Sequence, residues 1–249
     1  MYNLVADYHT HTLYSHGRGT ILENVEAARN RSLKAIAISD HGFNHLVFGI
    51  SKSKLRKMKK EISTLNHQFS DIKVLLGVEA NIISLDGEID IPDSYLEAFD
   101  IILMGFHKIV RPAGWNDFCK LFVKNGLDKL GLTNREQLRQ SNTTAIVKAM
   151  ERYPIRILTH PGESIDIDTR SVAQAAAKHN VALEINASHG FMTVEYAKIA
   201  LEEGALISIN SDAHSPRDIG NFKRGEKIAK LAGIPSTRII NTEEYMCLK

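Results

Sequence analysis

Ala6-Asp7-Tyr8-His9-Thr10-His11-Thr12-Leu13-Tyr14-Ser15-His16 sets three imidazoles within eight residues, directly behind a short apolar run. The run Asn3-Leu4-Val5-Ala6-Asp7-Tyr8 suits a buried strand. In extended chain, side chains two apart share a face, so His9 and His11 point the same way and can grip one cation. A His-x-His pair alone describes two polar residues at a strand end equally well. The rest of the chain has to decide.

Outward from this stretch, strand and helix patterns alternate. Thr20 can cap a helix with Ile21, Leu22, Val25, Ala28 and Leu33 on one side, and Lys34-Ala35-Ile36-Ala37-Ile38-Ser39 follows as a buried strand ending in Asp40-His41-Gly42. A helix over 52–69 leads to strand 73–78, which runs into Glu79, and residues 83–92 read as a turn or short hairpin. Strand 100–106 ends at His107. Over 108–132 the alternation lapses, with Pro112, Gly114, Trp115, Gly126 and Gly131, and this stretch reads as an insertion. The pattern resumes with helix 135–153, strand 155–159 ending at His160, helix 168–179, strand 181–186, helix 194–203, strand 206–211 ending at Asp212 and His214, and a last helix over 222–232.

Seven strands separated by helices or loops mean a parallel sheet with helices outside. Six of the seven strand ends carry a His, Asp or Glu. A barrel gathers such ends around one mouth, whereas an open sheet scatters them along an edge and expects a glycine-rich phosphate turn after its first strand, which is missing. The expected fold is an α/β, distorted seven-stranded (βα)7 TIM-like barrel, one domain over residues 1–249 with the insertion at 108–132.

The chain has 249 residues, 43% hydrophobic and 24% charged, with a formal net charge of +2, which argues against a large nucleic-acid footprint. The cationic run Lys52–Lys60 interleaves Leu55 and Met58 at helical spacing and reads as a solvated helix face. Cys119 and Cys247 stand far apart outside any CxxC motif, and no run reaches the length of a membrane span, so a cytoplasmic protein is expected.

The strand ends assemble His9, His11, His16, His41, Glu79, His107, His160, Asp212 and His214: seven imidazoles and two carboxylates. Such ligands, without thiolates, suit zinc, manganese or iron. Each histidine singly has a dull explanation as a hydrogen-bonded group at a loop start, but nine dull explanations at one barrel end combine poorly. Of the others, His67 and His179 read as solvated, His45 is open, and His189 can line the site from a loop. Imidazole binds metal only when neutral, so activity and metal occupancy are expected to fall as the pH drops through roughly 6.5 toward 5.

His9-Thr10-His11-Thr12, Ser39-Asp40-His41-Gly42, Gly77-Val78-Glu79-Ala80-Asn81, Gly105-Phe106-His107, Thr159-His160-Pro161-Gly162 and Ser211-Asp212-Ala213-His214, in that order, resemble the PHP superfamily, named for polymerase and histidinol phosphatase, and most closely its small stand-alone bacterial phosphoesterases. The resemblance implies three divalent metal ions at the barrel mouth. Carried over, His9, His11, Glu79 and Asp212 hold one ion, Glu79 bridges to a second held by His107 and His160, and His16, His41 and His214 hold the third. It also implies hydrolysis of a small-molecule phosphomonoester by a metal-activated water, with Glu79 and Asp212 central. Arg18 can hold phosphate oxygens and Asp40 can orient a ligand from behind. Lys108, Arg111 and Trp115 of the insertion, with His189, are candidates for substrate contact. An amidohydrolase-type barrel and a polymerase-associated exonuclease are the competing readings. The first expects a lysine or carboxylate where His107 stands, and the near-neutral charge disfavours the second.

Overall fold

The computed structural model describes residues 2–128 and 131–248; residues 129 and 130 of the expected insertion lie outside the described residues. Seven parallel strands, β1 (Ala6–Asp7), β2 (Ala35–Ile38), β3 (Lys73–Asn81), β4 (Ile101–Gly105), β5 (Ile157–Leu158), β6 (Ala182–Asn186) and β7 (Leu206–Asn210), lie side by side in chain order. Helices α1 (Ile21–Asn30), α2 (Lys52–Gln68), α3 (Arg135–Arg152), α4 (Thr169–His179), α5 (Val194–Glu202) and α6 (Lys223–Leu231) fill the connections. The expected (βα)7 barrel is therefore the fold.

The curved sheet closes along the seam between β7 and β1. At the mouth end, Thr10 and Ala213 form a parallel bridge, and the His11 amide donates to the Ala213 carbonyl at 2.8 Å. At the opposite end a side chain stands in for a strand. Asn241 Nδ2 donates to the carbonyls of Ala6 (2.8 Å) and Ile209 (2.5 Å), its Oδ1 accepts from the Ile209 amide (3.1 Å), and its own carbonyl accepts from the Val5 amide (2.9 Å). On this edge β1 is joined to β7 largely through side chains rather than a continuous ladder.

Strand pleating sorts the residues into two cores. Alternate positions Ala35 and Ala37, Leu75, Ile101 and Leu103, Ile157, Ala182 and Leu206 face inward and pack with Ala6, Tyr8 and Ile240 in the barrel's lower interior. The intervening Ile36, Ile38, Val74, Leu76, Val78, Ile102, Met104, Leu183, Ile185, Ile207 and Ile209 pack outward under the helices. Continued up the barrel, the inward register turns polar: Ser39 and His41, Glu79 and Asn81, Thr159, Glu184 and Asn186, Ser208, Asn210 and Asp212 are all buried.

Helix α2 buries Leu55, Met58, Ile62 and Leu65 and leaves its basic residues outside, as its pattern predicts. The residues read as insertion are helical over 115–128, passing through a turn of π-helix at Phe118–Val123. They are bolted down by a buried reciprocal amide pair. Asn125 Nδ2 donates to Asn142 Oδ1 of α3 at 2.9 Å, and Asn142 Nδ2 donates back to Asn125 Oδ1 at 2.8 Å.

Candidate metal centre

Glu79 is fully buried at the centre of the barrel mouth, brought there by the inward register of β3. Its two oxygens face different imidazoles. Oε1 lies 2.9 Å from His160 Nε2 and 3.5 Å from His107 Nε2, and accepts from the Thr159 hydroxyl at 2.9 Å. Oε2 lies 3.1 Å from His41 Nδ1, 3.4 Å from His9 Nε2 and 3.7 Å from His11 Nε2. Asp212 Oδ1 stands 3.3 Å from His11 Nε2 and 3.5 Å from His9 Nε2, and the ring of His214 is 4.6 Å from that of His11. His16 stacks on His41 at 4.8 Å and meets His214 at 4.1 Å. All nine residues expected at the strand ends thus converge.

Four subsets bring ligand atoms within 4.8 Å of one another: His9, His11 and Asp212; His9, Glu79 and His160; His41, Glu79 and His107; and His11, His16 and His41. Glu79 Oε2, Asp212 Oδ1, His11 Nδ1 and His41 Nδ1 are buried without a hydrogen-bond partner. Leaving such acceptors unpaired is costly, and divalent cations would satisfy them, so the donor set fits metal.

Hydrogen bonds behind the cluster set its tautomers. Glu184 Oε1 takes the Nδ1 proton of His9 at 2.9 Å, and Asn81 Oδ1 takes that of His107 at 2.7 Å, which leaves both Nε2 lone pairs toward the mouth. His214 Nδ1 donates to the Asp212 carbonyl at 2.9 Å with the same effect. Asn81 Nδ2 donates in turn to the buried Asp90 at 2.6 Å, and that carboxylate lies so close to Gly42 that a Cβ there would meet it at 2.2 Å. Two candidate ligands have left-handed backbone, His160 at φ 29° and Asp212 at φ 51°, which is strained for non-glycine residues and recurs at functional sites. The strain has a use at His160. Consecutive strand residues face opposite ways, yet Thr159 and His160 both reach Glu79 Oε1, because the chain turns between them.

Burial alone would raise both carboxylates, but the surrounding imidazoles hold Glu79 and Asp212 well below the usual range. Against burial, the nearby carboxylates lift His9 well above its ordinary value and His160 to about 9. Burial and neighbouring histidines push His11 and His107 well down, and His16 to about 4.

The other candidates divide. Asp40 is buried and pushed up to about 6 by burial; it accepts from the Thr12 amide at 2.8 Å and the Thr12 hydroxyl at 2.5 Å, bracing the turn behind His11. His189 reaches Asp212 Oδ2 at 3.2 Å. Arg18 is exposed in the loop whose backbone bonds to His214. Trp115 is 78% exposed and packs on Phe118, with no ring contact to the imidazoles among the described residues. His45 stacks on His41 at 4.6 Å; its Nδ1 accepts from the Phe48 amide, so Nε2 carries the proton. His67 is exposed, while His179 is half-buried 3.9 Å from Glu151.

Sequence reasoning passed over Glu184 and Glu163. Glu184 accepts from His9, from Asn210 Nδ2 (2.8 Å), from the His160 amide (2.9 Å) and from Asn186 Nδ2 (3.1 Å). A charged residue inside the apolar run Ala182–Asn186 was the available signal. Glu163 stands 3.5 Å from His160 Nδ1 and 3.6 Å from His189 Nδ1, and nothing in its local sequence marks it.

The family model described as PHP domain matches residues 7–188. A Shewanella pealeana protein named "Probable phosphatase" is 32% identical, the alignment covering 95% of this chain and 88% of the relative. A Thermoanaerobacter protein, also named a probable phosphatase, is 30% identical, with 96% and 91% covered. Among solved structures, histidinol phosphate phosphatase from Lactococcus lactis, complexed with zinc, L-histidinol and phosphate, is similar with a TM-score of 0.63 at 16% identity, over 92% of this chain and 94% of that one. At that identity the likeness is one of fold.

Proposed function

The chain belongs to the PHP domain family, and from that premise we propose that it is a single-domain, metal-dependent phosphatase that hydrolyses phosphomonoesters of a small molecule with three divalent ions at the barrel mouth. The observation that carries this reading is Glu79, a buried carboxylate with one oxygen toward His160 and His107 and the other toward His9, His41 and His11. That is the arrangement a shared ligand of two ions requires. In this reading His9, His11, Glu79 and Asp212 hold one ion, Glu79 with His107 and His160 a second, and His16, His41 and His214 the third. Bound divalent ions would supply an acidified water and neutralise the charge that builds on the phosphoryl oxygens.

The chain's own residues fix the rest. Glu184, Asn81 and the Asp212 carbonyl hold three imidazoles in the tautomer that offers Nε2. His45 presents a neutral N–H donor at the rim, its imidazole pushed down to about 4 by burial and by His41. Arg18 serves as a phosphate anchor at the mouth, and His189 contacts substrate beside Asp212. No helix among the described residues is long and apolar enough to cross a membrane, and both cysteines are free, which supports a reducing, cytoplasmic setting.

The test is hydrolysis of p-nitrophenyl phosphate and a panel of phosphomonoesters by protein loaded in turn with zinc, manganese and iron. Chelation should abolish turnover and metal restore it. Undiminished turnover in protein shown by elemental analysis to be metal-free would refute the reading.

A further inference from the structure

The barrel floor, at the end opposite the ligand cluster, holds a cavity of about 380 Å³ near the starts of β4 and β5. Phe99, Ile101 and Ile240 give it apolar walls, and the exposed Asp100 stands at its opening. Tyr8 and Arg156 bring two hydrogen-bond donors and a positive charge to the same space. We propose that this cavity is a second binding site, remote from the metal centre, for a small monocarboxylate with a compact apolar body. Leu103, Ile157 and Ala182 pack the barrel interior between floor and mouth, so a ligand on the floor touches none of the reacting groups.

Two side chains point to an anionic head group. Tyr8 is only 9% exposed, yet its hydroxyl makes no hydrogen bond among the described residues. A phenol so placed ordinarily has a partner. Burial pushes it up to about 12, so it keeps its proton and is a donor without an acceptor. Arg156 is half-buried, and no carboxylate among the described residues lies within ion-pair distance of it. Its Nη1 donates to the Asn180 carbonyl at 2.9 Å and its Nη2 to the Tyr245 hydroxyl at 3.2 Å, two neutral partners that fix the fork and leave its charge uncompensated. Charge and size then set the class. One guanidinium matches one unit of negative charge, whereas a phosphate dianion would carry its second charge toward Asp100, whose Oδ2 is held at the opening by the Leu76 amide at 2.8 Å. The apolar walls favour a body that leaves water. The volume lies at the lower end of the roughly 300–1,000 Å³ that ligand pockets occupy, which keeps that body short.

The experiment titrates metal-loaded protein by calorimetry with three probes: hexanoate, acetate, which keeps the head without the body, and hexanol, which keeps the body without the charge. Hexanoate should bind saturably and severalfold or more tighter than either. Tyr8→Phe removes only a hydroxyl that has no partner, so circular dichroism and metal content should match wild type, while hexanoate binds about tenfold more weakly, as expected for a lost hydrogen bond to a charged group. Arg156→Met should abolish the preference for hexanoate over hexanol. Carboxylates also bind metal ions, and the variants separate the two places: hexanoate affinity unchanged in both assigns it to the mouth and overturns the floor site. Absence of saturable binding by wild type, or equal affinity for hexanoate and acetate, overturns it too. If Arg156→Met does not fold, Tyr8→Phe decides alone.

Discussion

Glu184 shows how much a single side chain behind the cluster controls. All four of its bonds are to donors, so the ionised carboxylate is the form that satisfies them. Glu184→Gln would turn an amide N–H₂ toward a donor and release the His9 tautomer. Metal affinity, read by competition with a chelator, should weaken about 10–100-fold, the usual effect of losing such a partner; an unchanged affinity would mean that His9 is oriented by something else. His16 tests the ion count. It is half-buried in a loop, so His16→Ala should cost little stability apart from metal linkage. Elemental analysis should show one ion fewer per chain, with most of the turnover gone. Wild-type protein holding only two ions, with His16→Ala holding the same two, would remove His16 from the ligand set.

Among the elements, the seam between β1 and β7 depends on side chains, because Asn241 does a strand's work at one end of it. Asn241→Ala removes three buried hydrogen bonds and leaves the Ile209 amide and two carbonyls without those partners. At about 1–3 kcal/mol for each orphaned group, partly relieved by relaxation, the loss should be about 2–4 kcal/mol. Denaturant midpoints should fall with little change in slope; a loss below about 0.5 kcal/mol would show that water or a shifted backbone takes over the amide's role. The β5 loop is the opposite case. The left-handed turn at His160 stores strain to bring two consecutive side chains to one carboxylate oxygen.

For the molecule as a whole, stability and metal loading should respond to pH in opposite senses. His160 is raised from 6.5 to about 9 by its carboxylate neighbours despite burial. In metal-free protein that stabilisation is fully present below pH 6.5 and is lost as the pH rises through about 9. Metal must displace the same proton, so loading strengthens across the same window and releases protons. The melting temperature of metal-free protein should fall between pH 6.5 and 9, while the gain on adding metal grows. A gain that does not change over this range would contradict the account. Loading at neutral pH is therefore governed by His160 as well as by the drop toward pH 5 expected from ordinary imidazoles. His16, pushed down to about 4, has no proton to lose there.

The sequence by itself determined the seven strands, their parallel order and the strand-end residues that converge at the mouth. Period-two burial shows which residues face inward, and parallel strands joined by helices send every C-terminal end to one rim, so Glu79, His107 and Asp212 could be placed together without coordinates. Only the tertiary structure decided what lies across the barrel. His9 and Glu184 are 175 positions apart, β6 ends without a His, Asp or Glu, and Glu163 sits in a loop of no periodicity, so no local pattern joins them. The torsion that re-aims His160, the amide that closes the seam and the Asn125–Asn142 bolt that fixes the insertion are likewise products of packing between distant segments. Periodicity reports which side of an element is buried; it carries no information about which distant group that side will meet.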